Sequence, residues 1–149
     1  LEPGVLSQLA ENGVADVDPV YLEKVLSLVK DRLVLLGDFW QQAGFFFKAP
    51  ETWDLAGIQP KWNEVKTAFF QNYIQVILSQ TDADFNAQNL EALFKAEAEK
   101  SALKPGEVML PLRIMLVGGK FGPGVFEIAE MIGKEEVAKR VETVLAQLG

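Results

Sequence analysis

The chain has 149 residues, enough to bury about two thirds of the surface its unfolded form exposes without covalent staples. It contains no cysteine and no histidine, which excludes disulfides, thiolate metal sites, a histidine-dependent triad and the ordinary zinc site. The formal charge of -7 and isoelectric point of about 4.6 are the reverse of a generic nucleic-acid coat, so any polyanion must be met by a local site rather than a global field.

Residues 5–12 read as a short helix closed by Asn12-Gly13. Asp18-Pro19 then supplies an N-cap and a first-turn proline. Leu22, Val25, Leu26, Val29, Leu33 and Leu36 recur at three and four residues, which predicts a long helix broken at Gly37-Asp38. Phe39 to Phe47 is dense in aromatics. Trp40, Phe45, Phe46 and Phe47 offer rings on which bases can stack, but aromatics beside a leucine-rich helix are expected in the core.

A proline-bounded loop leads from Lys48 to Pro60. A second long helix spans Lys61 to Leu78, with Trp62, Val65, Phe69, Tyr73, Val76 and Ile77 on one side. Polar residues from Ser79 to Phe85 place a boundary near Thr81, dividing the chain into residues 1–80 and 81–149. Asn86 caps a helix through Leu90, Leu93, Phe94 and Ala98. Pro105 opens another that runs to Val117, with Pro111 inside it costing a backbone hydrogen bond and introducing a kink.

Between Leu112 and Gly133 the sequence reads as helix, glycine-rich elbow, helix. Arg113 sits in an apolar run that ends at Gly118-Gly119. Lys120-Phe121-Gly122-Pro123-Gly124 forms the turn, and Val125, Phe126, Ile128, Ala129 and Ile132 follow at helical spacing to a Gly133 cap. Such an elbow approaches a flat or anionic ligand closely, although a plain helix-to-helix turn explains it equally. From Lys100 to Phe126 the cations are Lys100, Lys104, Arg113 and Lys120, against Glu107 alone. A last helix from Glu135 to Leu148 carries Val137, Val141, Val144, Leu145 and Leu148 on one face. Seven or eight helices and no sustained strand alternation define an all-α chain.

The chemistry of a self-sufficient enzyme is missing. Glu127 and Glu130 are the nearest approach to an acid–base pair, and a solvated first turn accounts for Glu127. No phosphate-cradling loop, dinucleotide fingerprint or metal-ligand spacing occurs. Neither does an apolar run near the roughly 20 residues needed to span a bilayer, nor a signal segment at Leu-Glu-Pro-Gly. No residue is assigned a catalytic or metal-binding role. The start without methionine is read as that of a domain excised from a longer protein.

Leu112-Arg113, Gly118, Gly122-Pro123-Gly124-Val125-Phe126-Glu127 and Ile132-Gly133-Lys134-Glu135, with Lys104-Pro105-Gly106 upstream and the Leu28–Leu33 phrase, together resemble the C-terminal anticodon-binding region of bacterial glutamyl-tRNA synthetases. The resemblance implies a helical cage of two small subdomains that holds splayed anticodon bases of glutamate tRNA at the elbow. By position it assigns Arg113 to a base contact or stack, and Gly122, Pro123 and Val125 to contacts through backbone and apolar surface. Lys120 is expected to meet a phosphate. Arg32 matches a first-helix arginine that reads the third anticodon base and separates glutamate from glutamine tRNA.

The family's histidine-based and lysine-serine-lysine nucleotide signatures are absent, so this chain alone is not expected to activate an amino acid. The resemblance implies a missing N-terminal catalytic domain of a cytoplasmic ligase, using ATP and magnesium, with no cofactor in this part. Val117 replaces the threonine common before the first glycine, and Gly119 replaces a polar residue, which removes side-chain hydrogen bonding from the turn. The alternative is a helical protein-interaction or scaffold module without an RNA ligand, which the acidic charge suits.

Overall fold

The computed structural model describes residues 2–30, 33 and 39–148, with Glu2 and Pro3 described in backbone alone. Among the described residues the architecture is all-helical: α1 (Glu2–Glu11), α2 (Pro19–Val29), α3 (Phe39–Ala43), α4 (Glu64–Leu78), α5 (Ala87–Lys100), α6 (Pro105–Val117), α7 (Val125–Ile132) and α8 (Lys134–Leu148). Three 3-10 turns, Gly44–Phe46, Leu55–Gly57 and Gln59–Lys61, lie between α3 and α4.

α2 begins as its sequence requires: Asp18 accepts from the Val20 amide at 3.0 Å and Pro19 fills the first turn. It ends earlier than the leucine spacing suggests. The Lys30 amide bonds back to Leu26, and the Leu33 amide donates to the Lys30 carbonyl at 3.3 Å, three residues back rather than four. The expected break at Gly37-Asp38, and Arg32, lie outside the described residues.

The aromatic segment is core. Phe39, Phe45 and Phe46 are buried, and Trp40 and Phe47 half-buried. The Tyr21 hydroxyl donates to the Phe46 carbonyl at 2.7 Å, and its ring meets Phe47 edge-on at 5.5 Å, which fastens α2 to the turn after α3. A side chain at Gly44 would place its Cβ 2.8 Å from the Trp40 ring, so glycine lets the indole lie against the backbone.

α4 buries Phe69, Tyr73 and Ile77 as its spacing predicts, but its inward face is wider on one side and excludes Val65. Val65 is 49% exposed, whereas Phe69, Phe70, Tyr73, Ile74, Ile77 and also Lys66 are buried. The inward stripe turns toward Phe70 and Ile74, which add more apolar surface to the core than Val65 and Val76 would. Phe94 of α5 stands edge-on to Phe69 and to Tyr73, each at 5.0 Å, and meets Phe126 of α7 at 5.4 Å. The Tyr73 hydroxyl donates to the Leu90 carbonyl at 2.9 Å.

Helix α4 makes its most extensive contacts with α8 and α5, on the far side of Thr81, while α1 and α2 each pack against α3. Lys134 at the start of α8 donates to the Gln80 carbonyl at 2.6 Å. Glu130 of α7 accepts from the Ala87 amide at 2.7 Å, completing the cap that Asn86 begins on α5. α6 runs through Pro111, which withholds a donor from the Glu107 carbonyl.

Truncating Phe46 to alanine is expected to lower the unfolding free energy by about 3–5 kcal/mol in denaturant titration. Burial pushes the Tyr21 phenol up to about 12, with Arg140 acting against the shift and Glu136 reinforcing it, and burial also raises the Tyr73 phenol. Unfolded phenols ionise near pH 10, so the folded state holds protons that the unfolded state has lost. The stabilisation is complete below that pH and falls as pH rises toward the folded values. Phenolate absorbance is therefore expected to appear together with loss of the helical circular dichroism signal, rather than before it.

Candidate nucleic-acid interface

The last turn of α6 positions the elbow. A helix end leaves four carbonyls without intrahelical partners, and here three are met. Gly118 N donates to Ile114 O at 2.7 Å, Trp53 Nε1 to Met115 O at 3.1 Å, and Arg140 Nη1 to Leu116 O at 2.7 Å. Gly118 itself is left-handed, with φ 90°, and a Cβ there would stand 2.8 Å from the Thr52 carbonyl. Only glycine suits both constraints. The Gly118 carbonyl then accepts from the Asp54 amide at 2.8 Å, which clips the loop from Pro50 to Asp54 across the end of the helix.

Beyond Gly118 the chain turns around Arg113. A single guanidinium nitrogen, Nη1, donates to the carbonyls of Phe121 at 2.9 Å, Gly122 at 3.1 Å and Pro123 at 2.7 Å. The three carbonyls converge on one cation, which offsets the repulsion between their dipoles. Gly122 has φ 106°, and a Cβ there would come within 3.4 Å of Arg113 Nη1 and of the Phe45 ring. An arginine in an apolar run must reach solvent, a carboxylate or a ligand, or donate to polar groups of the fold. Here the backbone carbonyls of the elbow accept that donation.

Arg113, Gly122, Pro123 and Val125 are brought together. Arg113 and Gly122 are half-buried, and the side chains of Pro123 and Val125 face the interior. Lys120 is exposed and leaves the elbow in another direction, its stem crossing over Gly57. Phe121 is 39% exposed and touches Phe45 edge-on at 5.9 Å. Beside it opens a cleft of about 340 Å³ walled by Trp40, Phe45, Pro50, Val117 and Phe121, with Lys48 at its edge.

Sequence reasoning missed Phe121, Trp53 and Arg140. Phe121 was visible as a large aromatic in a glycine turn, where the core makes no demand for it. Arg140 falls among the charged residues of α8, and nothing local marks it as the one that is 2% exposed. Its Nε also donates to Glu136 at 2.7 Å, one helical turn earlier. Among the described residues no group of three acidic side chains is gathered as a metal ion requires, and no helix is long and apolar enough to cross a membrane.

The chain is thus an all-helical domain, among the described residues, with a backbone elbow beside an aromatic cleft. The chain belongs to the anticodon binding domain family, whose model matches residues 5–145. It aligns with the C-terminal anticodon-binding region of bacterial glutamate–tRNA ligases. It is 36% identical over 133 residues to the glutamate–tRNA ligase of Christiangramia forsetii, covering 89% of this chain and 26% of that protein. Against the ligase of Cytophaga hutchinsonii it is 33% identical over 144 residues, covering 97% of this chain and 28% of that protein. A crystal structure of a glutamate–tRNA ligase from Elizabethkingia meningosepticum in complex with its amino acid superposes with a TM-score of 0.83 at 33% identity, over 99% of this chain and 29% of that one. The chain thus spans between a quarter and three tenths of the length of these relatives.

Replacing Arg140 by methionine keeps the bulk of the side chain but leaves the Leu116 carbonyl without its donor. The expected loss is about 1–3 kcal/mol of stability, read by thermal unfolding.

Proposed function

We propose that this chain recognises the anticodon loop of glutamate tRNA, as part of a cytoplasmic class I ligase that uses ATP and magnesium to join glutamate to that tRNA. The observation that carries the reading is the elbow itself: Arg113 holds three successive carbonyls in a fixed curve beside an exposed aromatic ring, on a chain of the anticodon-binding family. ATP and magnesium belong to the catalytic part of such a ligase.

In this reading bases leave their stack and enter the elbow. The planar guanidinium of Arg113 offers a stacking surface while its Nη1 keeps the turn in shape. The carbonyls of Gly122 and Pro123 each retain a second lone pair, which suits the amino group of a base. Val125 contributes from the first turn of α7, where backbone amides have no intrahelical partner. Phe121 provides a further ring for stacking. Lys120 meets a phosphate, and Arg32 reads the third base.

The test is a fluorescence titration of the chain against the matching anticodon stem-loop and single-base variants of it. Phe121→Ala is expected to weaken binding by about 1–3 kcal/mol, while the melting temperature falls only by what the loss of its edge contact with Phe45 accounts for. Arg113→Ala is expected to weaken the matching loop by about 1–3 kcal/mol and to relax discrimination at one base. It should also lower stability, since the elbow carbonyls lose their donor. Arg113→Lys restores the charge but neither the planar face nor the forked donors, so its rescue is incomplete. If the unmodified chain binds every loop alike or none, the reading fails in favour of a protein-docking module.

A further inference from the structure

A second cleft, of about 460 Å³, lies between the turns of residues 55–61 and the first half of α6. Three lysines line it, Lys61, Lys66 and Lys120, against one lining acidic residue, Glu107, whose carboxylate already accepts from the Lys104 amide at 2.8 Å. The Asp54 carboxylate lies on the same side of Gly57 as the Lys120 stem, a second anion beside the cleft. We propose that this cleft binds a phosphate group.

Lys66 carries the inference. It is 7% exposed and occupies the inward face of α4 with Phe69, Phe70 and Tyr73, while the neighbouring Val65 is left on the surface. Burying an ammonium and exposing a valine is the reverse of what a stability-driven face would select. The Nζ of Lys66 donates to the Lys61 carbonyl at 2.8 Å, a neutral acceptor that leaves the charge uncompensated. The ion pairs formed among the described residues, Lys48–Glu51, Lys95–Glu91, Lys100–Glu97 and Arg140–Glu136, include none of the three cleft lysines. Lys66 also stands in the first turn of α4, where the helix dipole disfavours a cation. Burial, lack of a counter-charge and helix position all oppose this ammonium, and a bound anion relieves all three.

The chemistry of the cleft selects the anion. Ammonium groups act as point charges with several donors each, which suits a tetrahedral phosphate, whereas a carboxylate is matched best by the fork of a guanidinium. Gly106, in the first turn of α6, also lines the cleft and lets an anion approach the backbone amides there. Exposed Leu110 and buried Pro111 form an apolar flank suited to a sugar ring. Lys120 immediately precedes Phe121 of the elbow, so one chain segment serves both sites.

Two sources supply such a group: the backbone of an RNA whose bases enter the elbow, which rests on the function proposed above, or a free phosphate compound. The variants are Lys66→Met, Lys61→Gln and Lys120→Gln, the last two at exposed side chains that leave the fold intact. Stem-loop titrations over a range of salt are paired with titration of inorganic pyrophosphate, read at the Gly57 and Gly106 amide resonances. For an RNA phosphate, each variant weakens matched and mismatched loops equally and lowers the salt slope by about 0.7 per lost contact. Lys66→Met should then hold or raise the melting temperature, whereas a lysine that serves only to hold the Lys61 carbonyl would lower it. Pyrophosphate binding that Lys66→Met abolishes, with loop binding unaltered, assigns the cleft to a free phosphate. Unchanged salt slopes together with no pyrophosphate response in the unmodified chain overturn the proposal. Failure at the elbow looks different: base discrimination is absent while the response to the lysine variants persists.

Discussion

The structure depends on how α6 ends. An apolar helix that stops inside a protein must find donors for its final carbonyls, and this one recruits them from distant parts of the chain. Trp53 comes from the loop before α4 and Arg140 from α8, while the Gly118 amide closes the helix locally. Each donor brings its own element along. The loop from Pro50 to Asp54 is thereby held over the helix end, α8 is anchored beneath it, and the elbow leaves in a direction that only a left-handed glycine permits.

From that fixed departure point, Arg113 shapes the turn and the aromatic segment supports it. Phe45 lies under Phe121 and close to Gly122, and Phe46 is tied to α2 by the Tyr21 hydroxyl. The first three helices therefore act on the elbow indirectly, by setting the position of the rings beneath it.

Most of the helical architecture was legible from spacing and caps. Asp18-Pro19, Asn86 and Pro105 mark helix starts through local chemistry that tertiary contacts do not override. The face of α4 was less legible, because Val65 and Phe70 compete for the interior and the outcome depends on the partner helices. The end of α2 was misjudged because leucines at helical spacing continue past Val29, whereas the chain leaves the helix there. At the site, the glycine pattern and Arg113 were readable as an elbow. The partners of Arg113 were not, since carbonyls carry no signature in a sequence. Arg140 and Lys66 were equally hidden, for the burial of a charge is decided by the neighbours it acquires in three dimensions.

The grip of Arg113 falls on main-chain oxygens, which every residue possesses. The curve of the turn is thus insulated from most of the side chains it displays, provided that glycine remains where φ is positive. Position 121 in particular gives its carbonyl to the scaffold, while its ring, 39% exposed, rests edge-on against Phe45. A different letter can be written there without redrawing the page, so descendants of one ancestral domain can change what they favour at this point while keeping the same loop.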